Sequence, residues 1–499
     1  MKLSEIIKDE NVEIIETRGD LDVEITDIQN NSRLINKKGT LFFAIKGFLD
    51  DGIKYLDDAI SRGATAAIVE EDAVVENKGI SVVRVKDVRK AMAYISKDFY
   101  NDPTRKVKTI GVTGSKGKTS ITFILQRMLT GLGHKVGVIG TIGAYIDGEF
   151  FMSASTTSPE SFRTNYILDK MIKQGIDVAI IEISSQALIR HRIDGMKFDI
   201  TTFTNFSEDH VSPTEHKTLE DYYNCKKEIA KLGKTIVLNS DDEAVARAKC
   251  EIEKECNNEK NIITFGTAKD SSVRIVEDSI RYNRNGTKFE MSISKGKDPI
   301  EYTTTLLGKI YVSNIACAAA VATQFGITEQ VIQKEIEKLK LPSRFEFIEN
   351  DLGIDIVIDY AHTEESLRQA LTILRHIAKG KIYALWGLSG QRDIRKRPLM
   401  GKVSGELADV TVITSENPMF EDPMDIAKAI AEGVEQANGE YFIENDRAKA
   451  IKMTLDLAKP GDMVALLGLG EERSQQFGMQ VNYFNEKEVV QEYLEERKK

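Results

Sequence analysis

Residues 108–120 read KTIGVTGSKGKTS: an apolar run ending on Gly114, a short loop through Ser115, Lys116 and Gly117, then Lys118-Thr119-Ser120. Those last three residues open an amphipathic stretch, KTSITFILQRMLTGLG (118–133). Strand, glycine loop, then helix is the order that places successive backbone N–H groups around phosphate oxygens, with the positive end of a helix behind them. Lys118 can reach β- and γ-phosphates, and the hydroxyl of Thr119 or Ser120 can ligate Mg²⁺. A glycine-rich turn with no ligand is the competing reading, and the strand-to-helix context disfavours it. The standard phosphate loop wants glycine five positions before Gly117, where Val112 stands, so the loop is a shortened form.

Outward from this loop the pattern stays strand and helix. KVGVIG (135–140), DVAIIEIS (177–184), FDITTFTN (198–205) and KTIVLNSDD (234–242) are apolar strands separated by helical stretches. Such runs predict a mostly parallel sheet covered on both faces. A hairpin is predicted between Ser271 and Ser294, turning at Asn283 to Gly286. A second series follows: IDIVIDYAH (354–362), KIYALWG (381–387), DVTVITSENP (409–418) and DMVALLGLG (462–470). Before the loop, LFFAIKG (41–47) and ATAAIVEED (64–72) flank a helical stretch, and NDPT (101–104) reads as a linker. The expectation is an α/β chain of three domains, 1–104, 105–340 and 341–499, the middle one a phosphate-loop parallel sheet and the last Rossmann-like.

A chain of 499 residues exceeds one core, and 41% hydrophobic with 29% charged residues is ordinary for a water-soluble protein. The net charge of -10 argues against a nucleic-acid partner. Cys225, Cys250, Cys256 and Cys317 form no C-x-x-C pair, which suits reduced thiols inside a cell. No run of about 18 apolar residues occurs and the N-terminus lacks a signal-like core, so a cytoplasmic protein without membrane segments is expected.

Further polar groups fall at predicted strand ends. Glu182 stands where a carboxylate beside a phosphate loop can hold Mg²⁺, followed by Ile183, Ser184 and Ser185. Thr204-Asn205-Phe206-Ser207-Glu208-Asp209-His210 ends another strand, and His210 there is either a metal ligand or a structural histidine. In Leu219-Glu220-Asp221-Tyr222-Tyr223-Asn224-Cys225-Lys226-Lys227, composition alone predicts an exposed helix with solvated lysines.

These motifs, along nearly the whole chain, resemble the Mur ligases, and among them the UDP-N-acetylmuramoyl-tripeptide synthetases. The loop form T-G-x-x-G-K-[TS] matches, with Ser115-Lys116 replacing the common Thr-Asn. The resemblance implies ATP and Mg²⁺, with Gly114, Ser115, Lys116, Gly117, Lys118, Thr119 and Ser120 around the nucleotide. Asn314 matches an adenine contact, and Arg344, Asp359 and His362 match further nucleotide-side positions. It implies a catalytic and metal set of Lys118, Thr119, Glu182, His210 and Lys226, the last carrying a carbamate, with Lys227 the alternative register. The UDP-muramoyl dipeptide would meet Ser32, Thr157, Ser158, Ser184, Arg190 and Arg192. The incoming amino acid would meet Arg392, Glu416, Asn417, Met419 and Glu472.

Diaminopimelate-adding members carry arginine where Met419 stands, and leaving a second carboxylate unpaired costs about 1–3 kcal/mol. The Ser115-Lys116 loop and the run Asp209-His210-Val211-Ser212-Pro213-Thr214-Glu215-His216 also resemble lysine-adding members, so the expectation is L-lysine as the third stem-peptide residue, added by an ATP-dependent ligase acting as a monomer on small-molecule substrates. A relative adding another amino acid, or a non-catalytic binder of UDP-muramoyl peptides, are the alternatives. The departures Asn31, Ile53, Tyr311 and Leu469 keep them open, as does Glu471 beside Glu472.

Overall fold

The computed structural model describes residues 1–499 except 48–49, 77–78, 155, 208–215, 342, 471–472 and 498–499. The chain forms two compact units. The first comprises residues 1–277, 291–300 and 312–335, and the second 278–290, 301–311 and 336–499.

The first unit holds two sheets. The N-terminal one has the order Ile14–Arg18, Ser81–Val85, Ala64–Glu70, Thr40–Phe43, Asp27–Gln29. Only its first pair is antiparallel. Helix Val88–Phe99 is started by Asp87, whose carboxylate accepts from Lys90 N at 2.9 Å. It buries Val88, Ala91, Met92 and Ile95 in the same core as Leu41, Phe43, Ile68 and Val83.

In the second sheet, Lys108–Thr113 is central. Phe198–Phe203 and then Gly233–Asn239 lie on one side, Val178–Glu182 and then Val136–Gly140 on the other, all parallel. Their side chains are buried almost throughout, as covered parallel strands require. Thr113, Gly140, Glu182 and Phe203 therefore end four strands at one edge of one sheet, the edge where open parallel sheets bind ligands. The predicted hairpin is present as Val273–Asn283 and Gly286–Ser292.

The second unit is built on a six-stranded sheet of order Glu346–Ile348, Asp355–Asp359, Met463–Leu467, Ile382–Trp386, Val410–Ile413, Glu440–Ile443. All neighbours but the first pair are parallel. Helices Glu364–Ile377, Lys396–Leu407 and Pro423–Gln436 pack Leu371, Val403 and Ile430 into one core with Ala384 and Ala465. A short hairpin, Ser474–Phe477 with Gln480–Tyr483, follows. Among the described residues no helix is long and apolar enough to cross a membrane.

Candidate functional site

The loop after strand Lys108–Thr113 is braced by the end of strand Phe198–Phe203. Ser115 N donates to Asn205 O at 3.0 Å, and Lys116 N donates to the Asn205 side-chain oxygen at 2.8 Å. Asn205 Nδ2 returns a bond to Lys116 O at 3.0 Å. A Cβ on Gly114 would lie 1.9 Å from Thr204 Oγ1, so only glycine allows this approach. Gly117, with φ +80, turns the chain into helix Lys118–Gly131 and packs against Asn314, which is buried. Lys118 Nζ donates to Gly114 O at 2.9 Å and Ser115 O at 3.2 Å. Ser120 is buried in the first turn of the helix.

Glu182 is fully buried at the end of its strand. The hydroxyls of Thr119 and Thr141 each donate to its Oε2 at 3.0 Å, while Oε1 has no hydrogen-bond partner among the described residues. Burial pushes this carboxyl above its usual range, against the opposing charge of Lys118 and the threonine bonds. A buried carboxylate oxygen without a donor, next to the Thr119 hydroxyl, suits a hard cation with oxygen ligands. Thr141 was not anticipated from the sequence; its place directly after Gly140 at a strand end is the signal that would have found it.

A carboxyl whose folded pKa is raised stabilises less once it ionises, so stability falls as pH rises above the unfolded value. In magnesium-free buffer near pH 8, Glu182→Gln is therefore expected to melt above the parent. The gap should close as pH is lowered toward about 5, while ligation is lost. A lower melting temperature near pH 8 would contradict the account.

The helix Leu219–Lys231 is not the solvated element that composition suggested. Lys226 is 1% exposed and Lys227 8%. They part company: Lys226 Nζ donates to Gly114 O at 2.8 Å and lies 4.7 Å over the Tyr222 ring, whereas Lys227 bonds Glu251 and Glu255 at 2.9 and 2.8 Å. Tyr222, itself buried, shares a 3.1 Å hydroxyl bond with Ser115. The helix thus meets the phosphate loop through Tyr222 and Lys226. His210 lies outside the described residues.

Hydroxyl and guanidinium groups gather beyond Glu182. Ser158 Oγ donates to Glu182 O and receives Ser184 N, each at 2.9 Å, and the Thr141 and Thr157 hydroxyl oxygens lie 3.1 Å apart, with Thr157 the group free to donate. Arg190 is held by Gln186 at 3.1 Å, and Arg192 by Glu160 at 2.9 Å. Arg89 donates to both Glu160 oxygens at 3.3 Å, so one carboxylate steadies two arginines. Ser32 is buried, and its hydroxyl helps hold the nearby Asp58 carboxyl below its usual range. The Asn31 side chain caps the turn by accepting from Arg33 N at 3.1 Å.

In the second unit, the Arg344 guanidinium lies 5.1 Å over the Tyr360 ring. Asp359 accepts from Phe345 N at 3.0 Å, and its burial raises the carboxyl while Arg344 opposes the shift. His362 is exposed, with Nδ1 2.8 Å from Tyr360 O. Nearby strand ends carry the loop Ser415-Glu416-Asn417. Glu416 is buried and accepts from Ser389 Oγ at 2.6 Å, and the Asn417 side chain accepts from Gln476 N at 2.9 Å. Met419 adopts φ 54 and bonds its backbone to Gln476 at 3.1 Å. Arg392 is exposed, and Glu472 lies outside the described residues.

Three family models match the chain: the Mur ligase family catalytic domain over residues 24–100, the Mur ligase middle domain over 112–322, and the Mur ligase glutamate ligase domain over 343–470. The chain is 37% identical, over 99% of both chains, to the UDP-N-acetylmuramoyl-L-alanyl-D-glutamate--2,6-diaminopimelate ligase of Clostridioides difficile (strain 630). It is 35% identical to the relative so named in Caldanaerobacter subterraneus subsp. tengcongensis, over 100% of both. A solved structure of a ligase of that name has a TM-score of 0.67 at 27% identity, covering 100% of this chain and 99% of the other. These names overturn the expectation of L-lysine. That expectation rested chiefly on the Met419 slot, with the Ser115-Lys116 loop and the run 209–216 as further resemblances. Met419 sits in a left-handed backbone whose N–H donates to Gln476 O, a local conformation that the identity of one residue in the motif did not reveal.

Proposed function

Because this chain belongs to the Mur ligase family, we propose that it is an ATP-dependent ligase joining 2,6-diaminopimelate to UDP-N-acetylmuramoyl-L-alanyl-D-glutamate, the reaction its relatives are named for. The observation that carries the reading is the convergence of Lys118, Lys226 and the buried Glu182 on one braced glycine loop.

In this scheme a peptide carboxylate oxygen bonds to the γ-phosphorus as the bond to the bridging oxygen of ADP breaks, leaving an acyl phosphate. The amine of the incoming amino acid then adds to the acyl carbon, loses a proton, and phosphate departs. Backbone N–H groups from Ser115 to Thr119 cradle the phosphates, and the Lys118 ammonium neutralises charge on the transferring group. Thr119, Glu182, His210 and a carbamylated Lys226 would hold Mg²⁺. When bound, the cation supplies positive charge against the phosphoryl oxygens. Asn314 would lie on the adenine side, with Arg344, Asp359 and His362 toward the nucleotide. Ser32, Thr157, Ser158, Ser184, Arg190 and Arg192 would hold the UDP-muramoyl dipeptide. Arg392, Glu416, Asn417, Met419 and Glu472 would receive the amino acid. We place the corresponding domains at 1–104, 105–340 and 341–499.

Phosphate release, measured with ATP, Mg²⁺, the UDP-muramoyl dipeptide and a panel of amino acids, tests the reading. Turnover with diaminopimelate is expected to exceed that with amino acids that lack a distal carboxylate by about tenfold or more. Absence of turnover with every amino acid would refute the ligase, and turnover without diaminopimelate preference would refute the substrate.

A further inference from the structure

Beneath the proposed amino-acid loops lies an ion pair with no solvent contact. The side chains of Arg447 and Glu486 are both 0% exposed, and Arg447 Nη2 and Nε donate to Glu486 Oε1 at 2.7 and 2.9 Å. Arg447 opens helix Arg447–Leu457, and Glu486 opens the last helix, Glu486–Glu496. Exchanging such a buried pair for apolar groups of similar volume is often neutral or stabilising, so stability alone does not explain it.

The remaining donors of the guanidinium indicate another role. Nη2 also donates to Leu467 O at 2.8 Å, and Nη1 to Ser415 O at 3.3 Å. Leu467 is the last residue of strand Met463–Leu467, and Ser415 follows strand Val410–Ile413 by two residues. Each carbonyl stands directly before a loop of the proposed site: Glu416-Asn417 on one side, Gly468-Leu469-Gly470 on the other. The loops lie side by side, since a Cβ on Gly468 would sit 3.2 Å from Glu416 Oε2. Gln475 Nε2 ties the first loop from above by donating to Ser415 O at 3.1 Å and Glu416 O at 2.9 Å.

We infer that Arg447 is a positioning residue for amino-acid recognition. Its rigid fork fixes the spacing of the two loops, and Glu486 holds the fork in orientation. This rests on the ligase reading above. Lysine keeps the charge but gathers its donors on one nitrogen, so it cannot reproduce the rigid spacing with which Nη1 and Nη2 meet the two carbonyls.

The variants are Arg447→Lys and the double Arg447→Met/Glu486→Leu, and the measurements are melting temperature, kcat and KM for each substrate. The double variant is expected to melt within about 4 °C of the parent. Its KM for the amino acid should rise about tenfold or more, with the KM values for ATP and the UDP-muramoyl dipeptide within about twofold. Arg447→Lys should show the same one-sided rise. A folded double variant with the parental amino-acid KM would overturn the inference, as would a parallel rise for ATP. If the double variant does not fold, a parental amino-acid KM in Arg447→Lys overturns it instead. Turnover of the parent is measured first: its absence sinks the ligase reading, whereas normal parental turnover with unshifted variants sinks only the role of Arg447.

Discussion

Lys118→Ala is expected to lower kcat by about 10³-fold, the loss typical of removing one preorganised charge from a transition state. The ammonium stands at the mouth of the loop, 2.9 Å from Gly114 O, at the start of a helix whose N–H groups face the same direction. In the proposed scheme it would neutralise charge that is largest while the phosphoryl group is between oxygens. Binding of ADP, which lacks that group, should weaken far less than kcat falls. Folding should be spared, because a half-exposed side chain bonded to its own loop contributes little to the core. Rapid-quench turnover and ADP titration of the variant check this together. Near-parental kcat would remove the phosphate-transfer scheme.

The second large effect separates adjacent lysines. Lys226→Ala should reduce kcat by about 10²–10³-fold. Lys227→Ala should leave kcat within about twofold and lower stability by about 1 kcal/mol or less, because its partners Glu251 and Glu255 are partly exposed. If Lys226 works as a carbamate, parental activity should fall in buffer stripped of carbon dioxide and return with bicarbonate, and Lys226→Ala should not respond. Equal losses in the two alanine variants would defeat this assignment, as would bicarbonate rescue of Lys226→Ala.

The phosphate loop was legible in the sequence because its chemistry is local: glycines, a lysine and a hydroxyl within seven residues, between an apolar strand and a helix. The parallel strands were legible because burial on both faces writes itself as unbroken apolar runs. Short or edge strands such as Asp27–Gln29 and Glu440–Ile443 left no such trace. Helix Leu219–Lys231 was misread by composition, since a lysine is buried only when distant partners accept it, here the Gly114 carbonyl and the Tyr222 ring. Arg447 was invisible for the same reason: its three acceptors come from residues 20 to 39 positions away. Met419 gave the opposite failure, where local motif resemblances, that slot chief among them, were asked to decide the choice of amino acid.

Asn205 engages the Lys116 peptide in both directions, so its amide acts as one more rung added to the sheet. The contour of the turn beyond that rung is consequently fixed when the strands assemble. An arriving anion has little disorder left to remove, and the entropy of arranging its hosts is charged to folding instead of to affinity.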